Sequence, residues 1–178
     1  MLLHYFKQKE NIEEKLASNI YSDIIALVKF IIKNNSNILK NEFNTSFELI
    51  SIILFCVFFG SKQSKNQTIT KQILMNLFIS DLDKSLRTVG IGDMQIGKYV
   101  KSYVKKYYYR VKSLEKIFKN DEKDDFISYA QKLSIYSNIE NKENNEKISI
   151  YLFINLSLLI ATLQKKQLKQ GLFNNFYI

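Results

Sequence analysis

The sequence predicts an all-α protein, folded as one compact multi-helix bundle, and three observations carry that reading. The 178 residues include no proline, no tryptophan and five glycines, so few positions force a break in a helix. Long segments repeat their apolar residues at the helical period. The stretches between those segments are rich in asparagine, serine and lysine, as connecting loops are. The length suits a single domain that buries a core without disulfides or metal. Net charge is +9, which favours an anionic partner surface.

Residues 11–33 read as the first helix. Asn11 and Glu14 have capping-box spacing, and Ile12, Leu16, Ile20, Ile24, Leu27 and Ile31 form one apolar face. NNSNILKNEFNTS is a connection, because its short polar side chains compete for backbone hydrogen bonds. A second helix begins near Ser46. Its segment Phe47 to Phe59 is apolar on almost all sides but has thirteen residues with Glu48 among them, against the ~20 needed to span a bilayer. A buried core helix is expected there, with Cys56 as a small buried hydrophobe. SKQSKNQ is a loop, and Thr68 or Thr70 can cap a third helix running to Val89. Leu74, Leu77 and Phe78 on one side and Met75, Ile79, Leu82 and Leu86 on another mark this third helix as a central one.

The stretch from Asp81 to Arg110 is the most specific in the chain. Gly90 is placed to end the third helix in the left-handed conformation, Gly92 permits a tight connection, and Asp93 stands at an N-cap position. Gly97 lies inside the next helix, where close approach of another backbone would compensate its cost. Asp81 falls on the apolar face of its helix and needs a partner, with Arg110 the first candidate and Arg87 the second. An inward carboxylate is either a catalytic acid or ligand, or a paired group fixing how helices meet. Asp83 can meet Arg87 one helical turn on.

From Met94 to Lys119 two opposite stripes are present. Val100, Tyr103, Val104, Tyr107, Val111, Leu114 and Phe118 face a core. Lys98, Lys101, Lys105, Lys112, Lys116 and Lys119 make a line of like charge, either a docking face for an anionic membrane or ribosomal RNA, or simply a solvated face. NDEKDD marks a boundary, Phe126 to Tyr136 a further amphipathic helix, and SNIENKENNEK a polar loop. The last helix, Ile148 to about Gln170, contains sixteen residues without charge, followed by Lys165, Lys166 and Lys169. That run falls short of a membrane span and is lowered in hydrophobicity by Ser149, Asn155, Ser157 and Thr162. A buried helix is expected, with a membrane-inserted or interfacial segment as the alternative, and the Phe173, Phe176, Tyr177 tail packs back or touches lipid.

The residue set argues against catalysis. The one histidine, His4, is terminal, and the one cysteine, Cys56, sits in an apolar run. GIGDMQIG lacks the strand and spacing of a nucleotide loop and reads as an interhelical turn. No enzyme activity, metal, cofactor or small-molecule substrate is expected. The amino terminus has neither a secretory core nor an arginine-rich presequence, so a cytoplasmic or already processed chain is expected.

Asp81, Asp83, Leu86-Arg87, Gly90, Gly92-Asp93, Gly97-Lys98 and Arg110 together resemble the ubiquinol-cytochrome c chaperone family, with a weaker extension upstream to Phe47-Glu48-Leu49. Thr88, Tyr109 and Ile53 depart from the family's usual acidic residue, glycine and histidine. The resemblance implies an assembly factor for the cytochrome bc1 complex that binds newly made cytochrome b, works without covalent chemistry and has a second assembly factor as partner. It places the protein peripherally on the cytoplasmic face of a bacterial inner membrane, or on the matrix side in a mitochondrion. The residues by themselves leave two other classes open. One is a basic helical nucleic-acid-binding module, from the Lys and Tyr interleaving of KYVKSYVKKYYYRVK; the other is a peripheral membrane-interaction protein unrelated to respiration.

Overall fold

The computed structural model describes the backbone of residues 2–61, 65–165, 168–169 and 171–173, and side chains for these apart from residues 2–11 and 65. The side chains of His4 and Asn11, and the residues Lys166, Gln170, Phe176 and Tyr177, lie outside what is described. The described residues form a bundle of six helices: α1 Leu2–Asn34, α2 Phe43–Gly60, α3 Lys65–Thr88, α4 Asp93–Asn120, α5 Lys123–Gln131 and α6 Lys142–Lys165.

The most apolar helix takes the middle. α2 packs against α1, α4 and α6, whereas α3, expected to be central, packs on α1 and α4 and keeps Gln72, Asn76, Ser80 and Lys84 in solvent. The reason is composition: α2 has an unbroken run of buried side chains from Phe47 to Val57, so it must be covered all round, while α3 interrupts its apolar face with polar residues. Ile20, Ile24 and Ile31 of α1, Leu74 and Phe78 of α3, Tyr107 and Leu114 of α4 and Leu156 and Leu163 of α6 complete the core. Cys56 is wholly buried within it, and burial pushes its thiol well above the ordinary value.

Gly60 lets α2 and α6 touch. A Cβ at this position would stand 3.0 Å from both the Cα and the carbonyl oxygen of Ile160. The partly buried Lys71 of α3 closes the same end of α2, donating to the carbonyls of Phe58 at 3.0 Å and Ser61 at 3.2 Å, as a cation at a helix carboxyl end should.

Several boundaries differ from the sequence expectation; α3 starts at Lys65, inside the expected SKQSKNQ loop, rather than at a Thr68 or Thr70 cap. α1 starts well before Asn11, because LLHYFKQKE contains helix formers and no breaker, and the capping pattern yields to continuation. α2 begins at Phe43, whose ring meets Tyr103 edge-on at 5.2 Å, and tertiary packing overrides the polar Asn44-Thr45-Ser46. α5 ends at Gln131, not Tyr136, because residues 38–40 and 135–137 pair instead: Lys40 N–H donates to Ile135 at 2.8 Å and Ser137 N–H to Ile38 at 2.7 Å, around an antiparallel bridge of Leu39 with Tyr136. α6 begins at Lys142, within the expected loop; Asn141 Oδ1 accepts from the Asn144 amide at 3.4 Å, and Glu143 pairs with Lys147 at 2.6 Å. α6 is described as far as Lys165, and residues 168–169 already lie outside a helix, ahead of the expected Gln170.

α2 and α6 are both long and apolar enough to cross a membrane by length and composition. Each is packed within the bundle, α2 the more completely, and α6 turns Ile154 and Leu158 outward.

Candidate functional site

The turn between α3 and α4 is built by the three glycines and charges that stand out in the sequence. Gly90 has φ 96°, its N–H donates to Arg87 at 2.9 Å, and the Ile91 N–H donates to Leu86 at 3.1 Å, the paired bonds of a Schellman motif. Gly92, rather than Asp93, is the N-cap of α4; its carbonyl accepts from Gln95 at 2.9 Å and Ile96 at 3.1 Å. Asp93 is the first residue of the helix, and its carboxylate goes to Arg87. Arg87 also meets Asp83, Nε to Oδ2, at 2.7 Å, so one guanidinium clasps both sides of the turn in solvent. Gly97 has no neighbour within 4 Å of the position a Cβ would take; it lines an open groove of about 550 Å³ between α3 and α4, so the expected backbone contact is not made there.

Asp81 is half-buried and accepts from the Tyr21 hydroxyl of α1 at 2.9 Å. Burial first, then the Asp81 charge and this bond, push the Tyr21 phenol up. Neither expected arginine reaches Asp81. For Arg110 the reason is register: at 1.5 Å per residue Asp81 lies ~14 Å before the turn and Arg110 ~27 Å beyond it, so antiparallel helices cannot bring them level, while Arg87, six residues on in the same helix, is held by Asp83 and Asp93.

Arg110 instead finds Glu48, a residue whose weight the sequence reading did not anticipate. Glu48 is 3% exposed on α2 and receives Arg110 Nε and Nη2 on its two oxygens, each at 2.8 Å. Lys106, one turn before Arg110, stands 2.9 Å from the same carboxylate. Burial would raise the Glu48 carboxyl, but the bonds from Arg110 and Lys106 outweigh it and hold it below the ordinary value. Aromatic rings enclose the group. Lys106 Nζ lies 5.1 Å from the Phe47 ring centroid and Arg110 packs 6.0 Å from that of Tyr129. Phe47 meets Tyr103 edge-on at 4.9 Å, and Tyr103 donates to Asn44 at 3.0 Å. The signal was available: a lone acid in an otherwise apolar helix requires a cation.

α4 therefore has two different faces. Tyr103, Tyr107, Arg110, Leu114 and Ile117 follow alternating steps of four and three residues along the inward face. Lys98, Lys101, Lys105, Lys112, Lys116 and Lys119 are all exposed, with Lys119 paired to Glu115 at 2.7 Å. Tyr99, Tyr108 and Tyr109 are exposed beside them, and Val89 and Met94 project into solvent at the turn.

Comparisons with known proteins agree with this layout. The fold is shared with the crystal structure of the Cbp3 homolog from Brucella abortus, at TM-score 0.77 and 19% identity over 93% of this chain and 89% of that one. A search of curated protein sequences finds no match. The profile of the ubiquinol-cytochrome c chaperone family matches residues 35–133, more than half of the chain, from the segment before α2 through α5. It spans both Glu48 with its two cations and the whole α3–α4 turn, and on that match the chain belongs to the ubiquinol-cytochrome c chaperone family.

Proposed function

We propose that this protein is a non-catalytic assembly chaperone of the cytochrome bc1 complex that engages newly made cytochrome b, using the outward face of α4 to dock at an anionic membrane surface. Family membership supports the class of function. The observation that carries the docking reading is the six-lysine line on a helix whose opposite face is already committed to Glu48 and the core. Nothing in packing requires six like charges in a row, and their mutual repulsion weakly disfavours the helix. An anionic surface relieves it, at about 1 kcal/mol per lysine near a membrane.

The turn favours a bilayer over a nucleic acid. Met94 is fully exposed (101%) and Val89 is exposed at the end of the lysine line, an arrangement that lets the lysines meet headgroups while the apolar tip enters the interface. Asp81, Asp83, Arg87, Gly90, Gly92, Asp93, Gly97 and Arg110 then serve as scaffold that sets the angle of α4, not as a client contact. Work with a second assembly factor, as the family resemblance implies, belongs to the same reading, as does a single domain spanning all 178 residues.

Deleting the gene and measuring assembled cytochrome bc1 tests the class of function: loss of the complex and of cytochrome b is expected, and normal levels of both would refute it. Flotation with anionic vesicles and co-sedimentation with ribosomes, each at low and high salt, tests the surface. Salt-sensitive flotation is expected; ribosome binding without flotation would transfer the lysine face to RNA.

A further inference from the structure

Between α4 and α5 lies a pocket of about 410 Å³ whose lining is strongly cationic. Arg110, Lys116 and Lys132 face it, with Asp125 the one acid among the lining residues. Ser113 and Ser128 add hydroxyls, and Ile117 and Leu133 form an apolar floor.

The charge balance here is unusual for a pocket between two packed helices. Arg110 commits Nε and Nη2 to Glu48, which Lys106 also approaches, so that one buried carboxylate already serves two cations. Among the described residues Lys116 and Lys132 form no ion pair, and Asp125 pairs with neither. The pocket therefore keeps an excess of positive charge beside a low-dielectric wall, where a field is stronger than on an open surface. Its most buried cation is also its most rigid, because the bidentate bond to Glu48 and the Tyr129 ring fix the guanidinium plane. Two flexible lysines around one fixed arginine, with a hydroxyl donor between them, can converge from several directions on a tetrahedral oxyanion.

We propose that the α4–α5 pocket binds a phosphate group, held by Arg110, Lys116 and Lys132 with Ser128 as a hydroxyl donor, the Ser113 hydroxyl being donated to the Tyr109 carbonyl at 3.3 Å. The group is either free phosphate or the phosphate of a lipid headgroup. The site does not rest on the chaperone reading: of the six lysines of the docking face only Lys116 lines it.

The test is a titration of inorganic phosphate into the isotope-labelled full chain, followed by amide chemical shifts, with sodium chloride at matched ionic strength as reference. Saturable shifts confined to Ser113, Lys116, Ser128 and Lys132 are expected. Lys132→Gln, at an exposed position, should weaken phosphate about tenfold, the loss of one charge-assisted bond, while Lys98→Gln leaves it unchanged. A short-chain phosphatidic acid, used below its micelle concentration, separates the sources. Tighter binding than phosphate assigns the pocket to a headgroup, and equal binding assigns it to free phosphate. Shifts no larger than those from sodium chloride, or equal phosphate affinity in Lys132→Gln, would overturn the proposal.

Discussion

Glu48 and Asp93 are both carboxylates that meet an arginine of the Asp81 to Arg110 stretch, yet the two pairings differ in what they can do. Around Glu48 the carboxylate is buried, two cations converge on it, and the rings of Phe47, Tyr103 and Tyr129 pack against those cations. Around Asp93 and Asp83 every partner stands in solvent, and the shared Arg87 is exposed. A buried pair that loses one member leaves the other uncompensated, whereas a surface pair is screened by water and salt. The same chemistry thus ties α2 to α4 in one place and only trims the α3–α4 turn in the other.

The largest effect should come from Glu48→Gln. It removes the charge that Arg110 and Lys106 share, at about 3 kcal/mol, the low end for a broken buried pair because both cations reach solvent at their edges. For a chain of this size that lowers Tm by about 6–12 °C. Thermal melts across pH give a signed check. The Glu48 carboxyl is held below its reference value of 4.5, so its contribution is fully present above that pH and lost as pH falls through the lower folded value. The Glu48→Gln protein should therefore lose less stability than the wild type on acidification below about pH 5.

Gly60→Ala comes next. Its Cβ would meet backbone of Ile160, which cannot swing aside, so overpacking should cost about 2 kcal/mol in chemical denaturation. The turn glycines should then separate in sign. Gly90→Ala forces a side chain onto φ 96° and should cost about 1 kcal/mol, whereas Gly97→Ala, in a helix with open space around it, should stabilise by about 0.5–1 kcal/mol. Equal destabilisation by the two would mean that Gly97 carries a contact absent here. Asp83→Asn should have the smallest effect, below about 1 kcal/mol and fading in high salt.

Much of this was legible before any coordinates. The helical periods of α4 and of α1 from Leu16 onward, the break at Gly90 and the lysine line are local patterns that appear where the sequence puts them, whereas Ile12, expected on the apolar face of α1, is exposed. Pairing across helices was not legible. Asp81 goes to Tyr21 and Arg110 to Glu48 because the helix register and the packing of α2 decide which side chains come level, and neither is written into one segment. Gly60 escapes the sequence for the same reason: its value lies in the distance to Ile160 of α6, a hundred residues later. The end of α5 shows a third limit, since residues 135–137 leave the helix to pair with a segment near residue 39.

The division of α4 into an inward structural face and an outward working face is the central claim, and one measurement addresses it most directly. Lys98, Lys101 and Lys105 would be changed together to glutamate in the native organism, and assembled cytochrome bc1 quantified at matched levels of the variant protein. All three side chains are exposed, so Tm should stay within a few degrees of the wild type while assembled complex falls severalfold. Normal assembly with the charge-reversed face would contradict the account and return the lysine line to ordinary solvated surface.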